Sequence, residues 1–333
     1  MRSTRRLRPI LAPALCLLLT GCGSADVGDL PPAAEPARSP GLTVAPAGRL
    51  IDVGAAPEGI VADAATGRVA VGLRNPDRLA ILDGRRGRLL QRVPLPESPR
   101  HLALAAGSEV LVPAERANRL VRVGLDDGRR RANVQVGAYP HDATAAGAAI
   151  FVGDERGNTV TVVEGDRAVG SFPVATQPGG LAALNRGAEV AVVSVRERVT
   201  ELYDTDSRRR LARVPAGVGP THVVSESRFD RLYVTDTSGG ALLVFDTRPE
   251  LELVRRVYLP GSPYGIALDE KRHRLWVTLT GSNEVVELPA HGRPHILRRF
   301  PTPRQPDTVA VDSATGRVFV TGLDAGVVQM IDP

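Results

Sequence analysis

Lysine is almost absent from this 333-residue chain: Lys271 is the only one among 42 basic side chains. That bias points to a GC-rich genome rather than to a binding surface. Aromatic residues make up 4% of the sequence, with Trp276 the single tryptophan. There are two cysteines, Cys16 and Cys22, so nothing beyond residue 22 can form a disulfide, a paired-cysteine metal site or a thiol nucleophile. No apolar run approaches the roughly 20 residues that a membrane-spanning helix needs. A nucleophile elbow and a phosphate-cradling Gly/Lys loop are missing. His101, His141 and His222 do not stand at a local ligand spacing such as His-x₃-His.

What the sequence does have begins at its N-terminus. Arg2, Arg5, Arg6 and Arg8 form a basic start, followed by a nearly unbroken apolar stretch from Ile10 to Thr20. A charged start, a short apolar stretch and small residues at a cut site describe a secretory signal peptide. Leu19-Thr20-Gly21-Cys22 resembles the bacterial lipobox. The resemblance implies that residues 1–21 are removed and that the Cys22 thiol receives a diacylglycerol. The expected location is then the extracytoplasmic face of a cell membrane, with lipid as a partner through acylated Cys22. Arg5-Arg6 also resembles a twin-arginine signal, but Arg8 stands where that motif prefers an apolar residue, so both export routes stay open. Removing the four arginines leaves a net charge near +1 out of the formal +5. The nucleic-acid reading that a high pI invites goes with them. The dense basic runs that remain, Arg129-Arg130-Arg131 and Arg208-Arg209-Arg210, lie beside acids such as Asp126, Asp127, Asp204 and Asp206, as on a charge-balanced surface. Residues 22–45, rich in Pro, Ala, Gly and Ser, read as a flexible tether.

The rest, residues 46–333, repeats. Pro57, Pro99, Pro140, Pro178, Pro220, Pro263 and Pro306 recur at spacings of 42, 41, 38, 42, 43 and 43 residues. That period matches four-stranded propeller blades. After each proline comes a short apolar strand such as Gly265-Ile266-Ala267-Leu268, then a turn such as Asp312-Ser313-Ala314-Thr315-Gly316. A β-branched or aromatic strand follows, such as Arg274-Leu275-Trp276-Val277, then two more strands, the last rich in arginine. The expected fold is all-β: a seven-bladed β-propeller of four-stranded antiparallel blades. The last unit stops after its third strand, while Gly48-Arg49-Leu50-Ile51-Asp52-Val53 has the character of an outer strand without a blade. The N-terminal strand is therefore expected to join the C-terminal blade and shut the ring.

Tyr233-Val234-Thr235-Asp236 followed by Ala241-Leu242-Leu243-Val244-Phe245-Asp246 resembles the YVTN-repeat β-propellers, as do parts of Trp276-Val277-Thr278 and Phe319-Val320-Thr321. The signature asparagine is replaced by Asp236, Leu279 or Gly322, and WD and kelch signatures are missing. The resemblance implies an extracytoplasmic propeller that binds a ligand or a protein, or serves as a scaffold, more often than an enzyme.

In a propeller the first strand of each blade lines the central channel, so the post-proline residues are the place for chemistry. The candidates for a channel-mouth binding site are Glu58, Arg100, His101, His141, Asp142, His222, Tyr264 and Asp307. They would hold a small polar ligand or face a protein partner, from the rim that carries the post-proline loops. No cofactor is called for. A divalent metal on His101, His141 and His222 is a lesser reading. The enzymatic alternative is a lactonase-like hydrolase or a lyase, with His141-Asp142, or Glu58 with His222, as general acid and base.

Overall fold

In the computed structural model, which describes residues 30–333, twenty-eight strands run in chain order as β1 to β28. They form seven sheets of four antiparallel strands. Blades 1 to 6 each take four consecutive strands, starting with β2 (Pro57–Asp63). Blade 7 combines β26 (Val309–Asp312), β27 (Arg317–Gly322) and β28 (Val327–Ile331) with β1 (Arg49–Asp52). β1 pairs antiparallel with β28, placing Ile51 opposite Val328. The ring therefore closes as the two chain ends anticipated. Cys22 and residues 1–21 lie outside the described residues.

Burial explains why the strands take this order. The second and third strands of a blade are buried on both faces, as in Arg68–Leu73 and Arg78–Asp83. Each blade presses one face onto the next, so alternate residues of one strand belong to different cores. Tyr233, Leu242 and Val244 of blade 5 pack with Leu275, Val277 and Leu279 of blade 6. Leu243 and Phe245, from the same strand, turn the other way, toward Ala191 and Leu202 of blade 4. Burying each such side chain is worth about 1.5–3 kcal/mol. The outer strands alternate instead between exposed and half-buried positions, as in Arg88–Pro94. Asp63, Asp269 and Asp312 end three of the first strands and accept N–H bonds from the turns that follow, the usual work of aspartate in a turn.

At the inner ring the blades approach closely. A Cβ on Gly59 would lie 2.1 Å from the Arg100 carbonyl oxygen, and one on Gly265 would lie 2.4 Å from that of Asp307. Only glycine fits there. The ladders of the first strands slip just after the proline, between Pro57 and Ile60, Pro140 and Asp142, Pro220 and Val223, and Pro263 and Ile266. Such bulges re-aim side chains, and the residues they free are the post-proline candidates. Ala56, Tyr139, Gln177, Ser262 and Gln305, each directly before a proline, hold positive φ, a strained conformation for residues other than glycine.

One segment departs from the expected tether. Residues 34–40 lie across the post-proline rim of blades 5 to 7. Ala37 N–H donates to Ser262 Oγ, Ser39 N–H to Gln305 Oε1, and Asn283 Nδ2 to the Pro40 carbonyl. Ser39 Oγ donates to the Thr280 carbonyl, and Ser39 is buried. These hydrogen bonds supply the order that the segment's few apolar groups do not.

Candidate functional site: a sealed ion cluster above an open channel

The post-proline side chains build two layers at one end of the central channel. The outer layer is ionic. Glu58 accepts from Arg100 Nη1 at 2.5 Å and forms an ion pair with Arg74, whose Nε lies 2.5 Å away. Glu115 closes the square, 2.9 Å from Arg100 Nε and 3.5 Å from Arg74 Nη2. Burial works against the Arg100 charge, but Glu58, Tyr264 and Glu115 hold its guanidinium protonated, above its ordinary value. Burial pushes Glu115 up to about 7 against the pull of both arginines. Asp307, raised to about 7 by burial and by the charge of Glu58, accepts from Gln305 Nε2 at 3.2 Å.

The inner layer is imidazole. In blade 2 the first strand is shortened to Ala103–Ala105, and ahead of it Arg100 N–H still reaches the second strand, at the Pro113 carbonyl, which leaves His101 free of the ladder. His101 N–H bonds instead to the His141 carbonyl on blade 3. Its ring reaches across to blade 5, where His101 Nε2 meets His222 Nε2 at 2.9 Å. His222 Nδ1 faces the Tyr264 carbonyl at 2.9 Å, and His141 Nδ1 faces the Gly179 carbonyl at 2.8 Å. A carbonyl only accepts, so both Nδ1 atoms carry the proton. The Nε2 of a neutral His222 is then an acceptor, and His101 Nε2–H must be the donor. His141 Nε2 accepts from Arg100 Nη2 at 3.1 Å. Desolvation pushes all three rings down, His222 to about 4 and the other two well below their ordinary value. The layer is therefore neutral at physiological pH.

Below the imidazoles a cavity of about 400 Å³ runs down the propeller axis. His101, His222, Asp142 and Thr308 line its inner end, and Leu104, Ser225, Leu268 and Glu270 line its far end. Exposure rises along the first strands, from buried His101 to half-buried Leu104 and exposed Glu270. The cavity thus opens on the rim opposite the post-proline loops, whereas the sequence pointed to the post-proline rim. The cause is the His101–His222 bridge, which closes the axis on the near side. Between the two ends the walls are aliphatic: Ile60, Leu102, Leu181, Val223, Ile266 and Val309.

The structure brings Glu58, Arg100, His101, His141, His222, Tyr264 and Asp307 into the two layers, with the Tyr264 ring 4.5 Å from that of His222. Asp142 stands apart, facing the cavity, with its carboxylate accepting N–H bonds from Ala143 and Leu181. Arg74, Glu115 and Glu155 escaped the sequence reading. Each lies one residue past the second strand of its blade, a column of the repeat that faces the proline-led one. A repeat alignment that scored charge in that column would have found them.

Glu115, His141 and Glu155 offer ligand atoms within 4.8 Å of one another. The Arg100 guanidinium already reaches both Glu115 and His141, filling the place a cation would take. The His101 and His222 nitrogens, at 2.9 Å, sit at hydrogen-bond distance, closer than the roughly 3.3 Å that two nitrogens keep on a tetrahedral zinc. As folded, the site fits no metal without displacing Arg100 or parting the two imidazoles.

No family model and no curated protein matches the chain. Solved structures do match. A chain of Kuenenia stuttgartiensis hydrazine synthase superposes with a TM-score of 0.75 at 15% identity, over 84% of this chain and 96% of that one. A streptogramin B lyase gives 0.73 at 13% identity, over 85% and 96%. A chain of a mitotic checkpoint complex gives 0.73 at 12% identity, over 96% and 98%. At such identities the likeness is one of architecture, and what it shows is that this chain is a seven-bladed β-propeller.

Proposed function

We propose that this protein is a membrane-anchored, extracytoplasmic ligand-binding propeller whose site is the central channel. The observation that carries the reading is a cavity of about 400 Å³ with aliphatic walls and a few polar groups gathered at its inner end. Small-molecule sites have that composition and that size range. The ion cluster behind the imidazoles serves as the rigid back wall. Its buried charges are mutually paired, so a ligand has little to gain from them. The lipobox at Cys22 supports the anchoring, and two or more acyl chains make such an anchor stable.

The test is to purify the protein from membranes and identify co-eluting small molecules by mass spectrometry, beside a variant whose cavity is filled by Ala267→Trp. A molecule carried by the wild type and absent from the folded variant supports the reading. Identical ligand content in both overturns it. For the anchor, Cys22→Ser should move the protein out of the membrane fraction.

A second reading, a lyase or hydrolase, is favoured by one feature. Burial pushes Asp142 up to about 7 beside the neutral His101 and His222, and all three line the same cavity. Groups poised near neutrality suit general acid–base chemistry. Turnover of a bound molecule, lost in Asp142→Asn while binding persists, would establish it.

A further inference from the structure

We infer that the channel takes an organic cation, an apolar body bearing a protonated amine, with Asp142 as its counter-ion. The inference rests on the channel being the binding site and adds the charge of what it binds.

In a chain with 42 basic residues, no arginine or lysine among the described residues lines the cavity. Its ionisable lining is His101, His222 and Asp142 at the inner end and Glu270 at the outer. The two imidazoles are neutral, so the charge that can face the cavity is negative: that of Glu270, and that of Asp142 once its proton leaves above about pH 7.

Two of the polar neutral groups point the same way, while Thr144 keeps its own hydroxyl hydrogen. The Ser225 hydroxyl donates to the Ala183 carbonyl at 2.7 Å, and the Thr308 hydroxyl donates to the Glu58 carbonyl. Thr144 Oγ accepts from Ala183 N–H at 3.2 Å. The hydrogens of Ser225 and Thr308 are thus spent on the protein, and what they leave toward the cavity is lone pairs. An acceptor-rich pocket calls for a ligand that brings donors.

Asp142 is the decisive residue. Buried acids elsewhere in this fold have a side-chain partner: Glu58 and Glu115 share two arginines, Glu201 has Arg210 at 2.8 Å, Asp236 has Arg256 at 2.9 Å and Asp269 has Arg272 at 3.1 Å, while Asp63, Asp154 and Asp312 accept from threonine hydroxyls and Asp307 from Gln305. Among the described residues no cationic side chain pairs with Asp142. Its bonds to the Ala143 and Leu181 amides fix its direction, and a carboxylate keeps further lone pairs for a third donor. Asp142 is half-buried against the apolar channel wall, where a carboxylate without a cationic partner is partly desolvated, and a ligand ammonium offsets that cost.

The experiment is calorimetric titration of the full chain with three eight-carbon probes, n-octylammonium, 1-octanol and octanoate, each below its aggregation limit. Octylammonium should bind about ten-fold or more tighter than octanol, as expected for a charge-assisted hydrogen bond out of water, and octanoate should bind weakest. Asp142→Asn should erase the advantage of the ammonium while leaving octanol unchanged, and Glu270→Gln should leave the ranking intact. Should Asp142→Asn fail to fold, Ala267→Lys on the channel wall should reverse the preference toward octanoate. Octanol binding as well as octylammonium, or a ranking that follows Glu270 instead of Asp142, overturns the inference and leaves the channel reading standing. Failure of all three probes to bind overturns both.

Discussion

His101 on blade 2 and His222 on blade 5 are joined by a single N–H···N hydrogen bond of 2.9 Å across the propeller axis, linking blades that are not neighbours in the ring. A bond that spans the ring acts as a cross-brace and, in the same place, as the partition between the ion cluster and the open cavity. A double-mutant cycle with His101→Ala and His222→Ala should return a coupling of about 0.5–1.5 kcal/mol in chemical denaturation. Strict additivity of the two single changes would show that the bond carries no stability.

Arg100 joins three partners, so its removal should be felt widely. Arg100→Met leaves Glu58 and Glu115 to share Arg74 and strips His141 Nε2 of its donor. Breaking a buried pair from one side costs about 3–5 kcal/mol. The partial exposure of the Arg100 side chain puts the expected loss at the lower end, read from the denaturation midpoint. Arg74→Met, which leaves His141 with its donor, should cost less.

The titrating groups pull in opposite directions with pH. Asp142, raised to about 7, keeps its proton in the folded state across the interval from about 4 to 7, where the unfolded chain has lost it. The folded form binds more protons there, so this group makes stability fall as pH rises through that interval. His222, lowered to about 4, refuses a proton that the unfolded chain accepts below about 6.5, so its contribution falls as pH drops. Asp142→Asn should therefore gain on the wild type as pH goes from about 5 to about 8. His222→Gln should gain on it in the other direction. Urea denaturation at three pH values checks both signs, and a flat difference for either variant contradicts its assignment.

Residues 34–40 should behave as a seated segment. Arg38 is exposed, but its neighbours are held by Gln305, which accepts from Ser39 N–H and donates to the Ala37 carbonyl. Trypsin should cut after Arg38 slowly in the wild type and several-fold faster in Gln305→Ala, with the propeller surviving in both. Equal cutting rates would mean that the rim does not hold the segment.

The closing strand offers the sharpest stability test. Ile51 is 6% exposed and packs with Val69, Val71 and Phe319, between blades 7 and 1. Ile51→Asp buries a charge without a partner, and deletion of residues 48–53 strips β28 of its outer neighbour. Either change should abolish the single cooperative melt. A truncated chain that melts like the full one would show that the closure is dispensable.

Much of this architecture was legible because blades repeat. Seven prolines at nearly constant spacing mark seven first strands, and the outer-strand character of residues 49–52 reveals the closure from one short stretch. The post-proline residues could be named because the ring brings them to one axis whatever their separation in sequence. Arg74, Glu115 and Glu155 were not, since each is an ordinary charge after a strand until the fold sets it against Glu58, Arg100 or His141. The seat of residues 34–40 was hidden for another reason. Its bonds join positions up to 268 residues apart, and a Pro/Ala-rich stretch gives no periodicity to reveal them. The open end of the cavity depended on the His101–His222 bridge, a contact over 121 residues that no local pattern encodes.

The seated segment and the borrowed strand lie in series along the chain, which bears on how the molecule carries tension. A pull on the N-terminal end first meets the bonds of Ala37, Ser39 and Pro40 to the rim. Only after these part does the load reach Ala47, bonded to the Pro301 carbonyl and to Gln329 Nε2, and then β1, whose ladder to β28 holds the last blade shut. The rim contacts thus act as a fuse: a modest force frees the segment before Ala47 and spends its work there, before the ring itself is strained.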